Sequence, residues 1–262
     1  MSQTASPPAA SSDLRNAVIR LAGDSQDGIQ SVGAFLGQLA GTTAQEVMTY
    51  MTIPSTISGG PSIFQVHLGS GEVLHPGDRA DTLVAFYQHS YDGHLDTLKD
   101  GGICFYDSDN VEELKEERGI IHIGVPFTSA TIEAIGGSAK SRGKNIFVLG
   151  LLCAVYQLDR EKMTAIIAKK FGRKSEDILR NAMLAFDAGY AWPVHDIEHM
   201  PMAPGENDAA NRISTDGNRV TKTITGGSIT GNSGSMELAT GDSAPAGATG
   251  DVSITTGAAT GG

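Results

Sequence analysis

The sequence predicts an α/β fold: a mostly parallel sheet with helices on both faces. Three observations predict it. Residues Asn16 to Leu36, NAVIRLAGDSQDGIQSVGAFL, form a short apolar run, a Gly-containing turn and then apolar residues at helical spacing. Further along, short β-branched runs alternate with helical periods, the order that builds a sheet from crossover units. Between two of the runs, Thr52 to Ser62 reads TIPSTISGGPS, a Pro- and Gly-rich loop placed to fold over whatever sits on the first turn.

Strands are expected at Ala17–Ala22, Glu46–Thr52, Ser62–Leu68, Thr82–Phe86, Gly102–Tyr106 and Ile120–Val125, each bounded by Gly, Pro or Asp. Helices are expected at Gln26–Ala40, His94–Leu98, Ser129–Gly136, Ile146–Leu158, Arg160–Phe171 and Glu176–Tyr190. Asp159 and Ser175 stand just before the last two periodic runs, where a side-chain oxygen caps the first free amides. In SIFQVHLGSGEV, Ser62–Val73, the Gly69-Ser70-Gly71 triplet signals a hairpin reversal and hence an antiparallel excursion. Residues 1–15 are polar and Pro/Ser-rich and are expected to be disordered, leaving a folded region over 16–202. Residues 203–262 contain no Phe, Tyr or Trp and are dominated by Gly, Thr, Ser and Ala. The loose repeat TKTITGG, SMELATG, DVSITTG also fits a short β-solenoid, but without large side chains to bury, a tail or linker is the stronger reading.

Composition excludes several function classes. A net charge of −11 argues against nucleic acid, whose phosphates need a basic surface. Cys104 and Cys153 lie in apolar runs outside any CxxC, so they read as small buried hydrophobes and not as iron–sulfur or zinc ligands. The segment MSQTASPPAASSD has no apolar core of a signal peptide, and the longest apolar run, Ile146–Leu158, is too short to span a bilayer. A cytoplasmic protein with no membrane partner is the resulting expectation.

The chemistry-bearing residues are few. Gly23, Asp24, Ser25, Gln26 and Gly28 form a strand–turn–helix junction, where backbone N–H groups and a helix N-terminus can hold an anion without a charged side chain. It is not a complete GxGxxG, since Ser25 takes the middle position, and no acidic residue closes the second strand; Glu46 begins it. An NAD site is therefore disfavoured, and tight packing alone also explains the glycines. No Lys-Ser/Thr pair follows them as in a P-loop, and no Asp-Gly pair sits in a thiamine-diphosphate context. His195 and His199 have i, i+4 spacing but lack the HExxH order, which leaves a metal site disfavoured. His89, with Gln88, Ser90 and Tyr91, follows a strand and stands where ligand-binding residues collect, although a structural histidine is the plainer reading. Asp107–Arg118 reads as a solvated acidic stretch; Lys140–Lys144 is a basic loop able to meet an acidic ligand such as coenzyme A, although a solvated turn is the plainer reading.

Three stretches carry a family resemblance: GDSQDGIQSVGAFLGQLAG, EVMTYMTIPSTISGGPSIFQVHLGSGEV and LVAFYQHSYDGHLDTLK. Together with NIFVLGLLCAVYQL and the Ser175–Tyr190 helix, they resemble the gamma domain of 2-oxoacid:ferredoxin oxidoreductases over Asn16–His199. The likeness is greatest to the N-terminal part of the 2-oxoglutarate-type alpha subunit. It implies a Rossmann-like three-layer domain in a complex that converts a 2-oxoacid and coenzyme A to acyl-CoA and carbon dioxide while reducing ferredoxin. It implies catalytic alpha and beta subunits as partners, ferredoxin through the complex, and thiamine diphosphate, magnesium and an iron–sulfur cluster held in partner domains or subunits. On this chain it implies no catalytic residue. Coenzyme A is expected at Gly23, Asp24, Ser25, Gln26, Gly28, Ser58, Gly59 and Gly60. The family loop reads Arg-Gly-Gly, whereas here Ser58 precedes Gly59-Gly60, which removes a bidentate anion contact. The alternatives are a ligand-free assembly module of the same complex and, less favoured, an NAD-dependent oxidoreductase.

Overall fold

Successive side chains of β1, Asn16–Asp24, point to opposite faces of the sheet, and most of them are apolar and buried, which sets the plan of the molecule. In this computed structural model, Ala17, Ile19 and Leu21 enter the main core, while Val18 and Ala22 enter a smaller core on the other face. The structure describes residues 13–52, 60–115, 119–136, 143–194, 197, 200–206, 214–215 and 220–221.

After β1 come a 3-10 turn, Ser25–Asp27, and α1, Ile29–Thr42. Strands β2, Glu46–Thr52, β3, Pro61–Gly69, and β4, Ala80–Ala85, follow, then α2, Gln88–His94. A second 3-10 turn, Leu95–Thr97, leads to β5, Leu98–Asp107, and β6, Ile121–Val125. Four helices complete the domain: α3, Phe127–Ile135; α4, Lys144–Val155; α5, Arg160–Phe171; and α6, Glu176–Tyr190. Asp159 and Ser175 cap α5 and α6, accepting from the backbone N–H of Lys162 and Ile178. Ser214–Thr215 and Val220–Thr221 pair antiparallel as two further short strands, β7 and β8.

The six-stranded sheet has the order β2-β3-β1-β4-β5-β6. Strands β1, β4, β5 and β6 are parallel, and β3 runs antiparallel between β1 and β2. The α/β class and its antiparallel excursion are thus as the sequence predicts, but the hairpin differs. Its arms are β2 and β3, not the two sides of Gly69-Ser70-Gly71. Past Gly71 the chain joins no strand until Ala80; Ser70 N–H donates to Arg15 O, and Val73 N–H to Glu46 Oε2. Tertiary partners there take the backbone hydrogen bonds that a second hairpin arm would have used.

The two faces are covered unequally. Helices α1 and α3–α6 contribute to the main core, in which α4 is buried nearly all round. Its Gly150 and the Gly189 of α6 face each other's helix so closely that a Cβ on either would strike the opposing backbone carbonyl, of Phe186 and Phe147 respectively. Over the other face, among the described residues, only α2 packs, its Tyr91 with Leu95 lying on Leu83, Ala85 and Cys104. The expected helix His94–Leu98 is displaced: the helix is Gln88–His94, and Leu98 already begins β5. No described helix is long and apolar enough to cross a membrane. Residues 201–206 return along the start of β1, with Leu14 N–H donating to Pro201 O and Ala203 N–H to Leu14 O. Residues 1–12 and most of 207–262 lie outside the described residues, so neither the expected disorder nor the tail reading is addressed there.

Candidate functional site

The sheet register brings the two singled-out segments together. Gly23 lies opposite Ser62 and Asp24 opposite Pro61, so the end of the Pro/Gly loop abuts the turn after β1. Ser25 N–H donates to Gly60 O at 3.1 Å, and Ser62 Oγ donates to Thr52 O at 2.7 Å, which ties the base of the loop. Ser58 and Gly59 fall outside the described residues. This juxtaposition stands at the carboxyl ends of β1 and β4, where open α/β sheets hold their ligands.

The turn is closed by its own carboxylates. Asp24 and Asp27 form a reciprocal capping box across Ser25–Asp27, with Asp24 N–H donating to Asp27 Oδ2 at 3.0 Å. Gly23 is buried against Phe86 and Ile29, while Gln26 is exposed. Gly28 then joins the turn to α1 at φ 74°, a left-handed conformation that glycine adopts without steric cost. A Cβ there would also lie 2.5 Å from Asn145 Nδ2 on α4. For this reason α1 starts at Ile29 and not at the expected Gln26.

A lysine from the basic stretch completes the site. Lys144 Nζ is 2.9 Å from Asp27 Oδ1, donates to the Tyr87 hydroxyl at 2.9 Å, and sits 4.5 Å above the Tyr87 ring. Tyr87 in turn donates to Asp27 Oδ1 at 2.9 Å. The Lys144 and Asp27 side chains are only 17% and 11% exposed. Burial pulls the Lys144 pKa down, but the hydrogen bonds to Tyr87 and Asp27 outweigh it and hold the ammonium above its usual value. Burial raises the Tyr87 phenol, with the Lys144 hydrogen bond working against that shift. His89, the second residue of α2, places Nε2 3.2 Å from Asp24 Oδ1 and stacks on Tyr87 with ring centroids 5.5 Å apart.

Gly23, Asp24, Ser25, Gln26, Gly28 and Gly60 therefore lie together. Asp27, Tyr87, His89, Lys144 and Asn145 belong to the same cluster. The DxxD spacing of Asp24 and Asp27 is the signal for the capping box; nothing local to Tyr87 or Asn145 announces their place. With two carboxylates against one ammonium, the turn carries no excess positive charge. The cluster offers exposed amide and imidazole groups for hydrogen bonding and contains no serine or cysteine nucleophile paired with a base.

The acidic stretch differs from the sequence expectation at its start. Asp107 is fully buried and caps α3 from a distance, accepting from Phe127 N–H at 3.0 Å and from Thr128 Oγ1 at 3.2 Å. It also accepts from Asn110 Nδ2 at 2.7 Å, and burial raises its pKa. Asp109 binds the next position, accepting from Ser129 N–H at 2.7 Å and from Ser129 Oγ at 2.8 Å. Ser108, Asp109 and Glu112–Lys115 are exposed as expected, and 116–118 lie outside the described residues. Cys104 and Cys153 are free and buried. His195 and His199 lie outside the described residues, and among those described no group of three or more His, Cys, Asp or Glu side chains could hold a metal ion.

Comparison with known proteins adds a family to this geometry. Residues 18–192 match the pyruvate ferredoxin/flavodoxin oxidoreductase family. The chain is 32% identical over 226 residues to the 2-oxoglutarate oxidoreductase subunit KorA of Mycobacterium tuberculosis, covering 74% of this chain and 34% of that protein. It is 26% identical over 176 residues to the 2-oxoglutarate synthase subunit KorC of Archaeoglobus fulgidus, covering 67% of this chain and 89% of that one. Among solved structures, the 2-oxoglutarate:ferredoxin oxidoreductase of Magnetococcus marinus, with 2-oxoglutarate, coenzyme A and succinyl-CoA bound, superposes with a TM-score of 0.69 at 26% identity. That match covers 77% of this chain and 35% of the other. The chain spans about a third of the length of the mycobacterial relative.

Proposed function

The chain belongs to the pyruvate ferredoxin/flavodoxin oxidoreductase family, and from that premise we propose that it is the gamma component of a 2-oxoacid:ferredoxin oxidoreductase acting on 2-oxoglutarate. In this reading it catalyses nothing alone. It docks on the catalytic alpha and beta subunits in the cytoplasm and helps position coenzyme A for oxidative decarboxylation to acyl-CoA, with ferredoxin reached through the complex. Thiamine diphosphate, magnesium and the iron–sulfur cluster belong to the partner domains or subunits and supply the decarboxylation and electron transfer there.

The observation that carries this reading is the Ser25–Gly60 hydrogen bond, which joins the turn and the loop at the carboxyl edge of the sheet. Coenzyme A has a diphosphate and an amide-rich pantetheine arm. The exposed Gln26, the imidazole of His89 and the N-terminal end of α1 give that ligand hydrogen-bonding groups and a favourable dipole. The carboxylates of Asp24 and Asp27 favour the neutral arm over the diphosphate close to the turn. The test is acyl-CoA formation by the catalytic subunits with and without this chain. A lower KM for coenzyme A on adding the chain supports the proposal, and an unchanged KM and kcat count against it.

A second reading, a ligand-free assembly module, is favoured by one observation. The N–H groups of Asp24 and Ser25 and the ammonium of Lys144 are already bonded within the chain. If it holds, Gly28→Val alters complex formation with no separate effect on the coenzyme A KM.

A further inference from the structure

Arg20 occupies the middle of β1 on the face away from α1. Its cross-strand partner is Gln65 on β3, whose own partner on β2 is Tyr50, so the three form one row across the sheet. Gln65 is only 1% exposed and is held rigidly: its Nε2 donates to Pro76 O at 2.7 Å and to Gly77 O at 2.6 Å. That leaves Gln65 Oε1 to accept from Arg20 Nε at 2.7 Å. One edge of the half-buried guanidinium is thereby fixed, and among the described residues neither Nη1 nor Nη2 has a hydrogen-bond or ion-pair partner.

A half-buried cation without a counter-ion is an expensive arrangement. Burial is the largest influence on Arg20 and lowers its pKa, while Asp96 and Tyr50 favour its charge without pairing with it. His94, at the end of α2, lies within reach of the same charge: burial and then Arg20 depress its pKa. The end of α2 and the Pro76–Gly77 segment border this part of the sheet, and Tyr50 is 51% exposed beside it. An arginine whose Nε is already committed presents the remaining pair of N–H groups as a planar fork, the geometry that matches two oxygens of one anion.

We propose that Arg20, flanked by Tyr50 and His94, is a binding site for a carboxylate or phosphate group on the face of the sheet that carries α2. It is separate from the Gly23–Gly28 turn and does not rest on the coenzyme A reading. Gln65 is its positioning residue, setting the plane of the guanidinium. Tyr50 supplies a hydroxyl from the edge strand, and His94 adds a second positive charge when protonated.

The experiment is an NMR titration of the full chain with inorganic phosphate, with succinate, and with chloride at matched ionic strength. The ring resonance of His94 is the reporter, assigned from a His94→Gln variant. Saturable movement with one or both oxyanions and none with chloride is expected, together with a rise in the His94 pKa as the Arg20 charge is neutralised. Tighter binding of phosphate assigns a phosphoryl ligand, and tighter binding of succinate a carboxylate. Arg20→Gln weakens binding about tenfold or more, and Arg20→Lys, which loses the fork but keeps the charge, less. Tyr50→Phe, at an exposed edge position, is the second variant should Arg20→Gln fail to fold, and it too weakens binding. The proposal is overturned if neither oxyanion acts differently from chloride, or if the response survives in a folded Arg20→Gln or is untouched in Tyr50→Phe.

Discussion

Lys144 and Asp27 form a nearly buried ion pair, 2.9 Å apart, that joins the start of α4 to the turn after β1. The Tyr87 hydroxyl bridges the two, so three elements meet through one carboxylate oxygen. Removing one partner leaves a buried charge uncompensated, and Lys144→Met should cost about 2–4 kcal/mol in urea denaturation. The double variant with Asp27→Asn should cost less than the sum of the single changes. The linkage has a definite sign. Lys144 and Tyr87 both have raised pKa values in the folded chain, so their contribution is fully present at neutral pH. It begins to fall at the ordinary values of 10.0 for tyrosine and 10.5 for lysine and is lost through the higher values of the folded chain. A stability–pH profile of wild type against Lys144→Met should therefore converge only above those.

Gly28→Ala combines two costs, a left-handed φ of 74° and a Cβ placed 2.5 Å from Asn145 Nδ2. The first amounts to about 1–2 kcal/mol. The second is relieved if the Asn145 side chain moves or is removed. Chemical denaturation should show Gly28→Ala destabilised, with Asn145→Ala in the same chain recovering the steric part and not the conformational part.

Asp107→Ala should be among the most damaging single changes outside the turn, at about 2–4 kcal/mol. It exposes nothing to water but removes the acceptor for Phe127 N–H and Thr128 Oγ1 at the start of α3. Amide hydrogen exchange should then show faster exchange confined first to Phe127–Ile135.

Cys104 and Cys153 should resist thiol reagents in the folded chain. Both are fully buried, and burial pushes the Cys104 thiol up to about 12 and raises Cys153 as well. A colorimetric thiol assay should read close to zero in native buffer and both thiols in denaturant.

Much of the architecture was legible because it rests on local chemistry. Arg160–Phe171 and Glu176–Tyr190 have their caps in the preceding residue, and both helices stand where periodicity puts them. The strand–turn–helix of residues 16–42 was legible for the same reason. Long-range partners were not. Helix α2 was displaced because His94 closes it and does not open it, in a stretch interrupted by Gly93. Asp107 looked like solvated charge because its partners, Phe127 and Thr128, lie about twenty residues on. In the candidate site, the glycines and Asp24 were visible as a turn. The roles of Lys144, Tyr87 and Asn145 depend on how β4 and α4 pack against that turn, which no spacing in the sequence encodes.

The measurement that bears most directly on the proposed function is a thermal-shift titration of the full chain with coenzyme A, with NADH as control. A ligand that binds the folded state raises Tm with concentration, by about 2.7 kcal/mol of stabilisation at a hundredfold excess over Kd. The account expects a saturable rise with coenzyme A, no rise with NADH, and a smaller rise in Gly28→Val. No rise with coenzyme A, or an equal one with NADH, would contradict it.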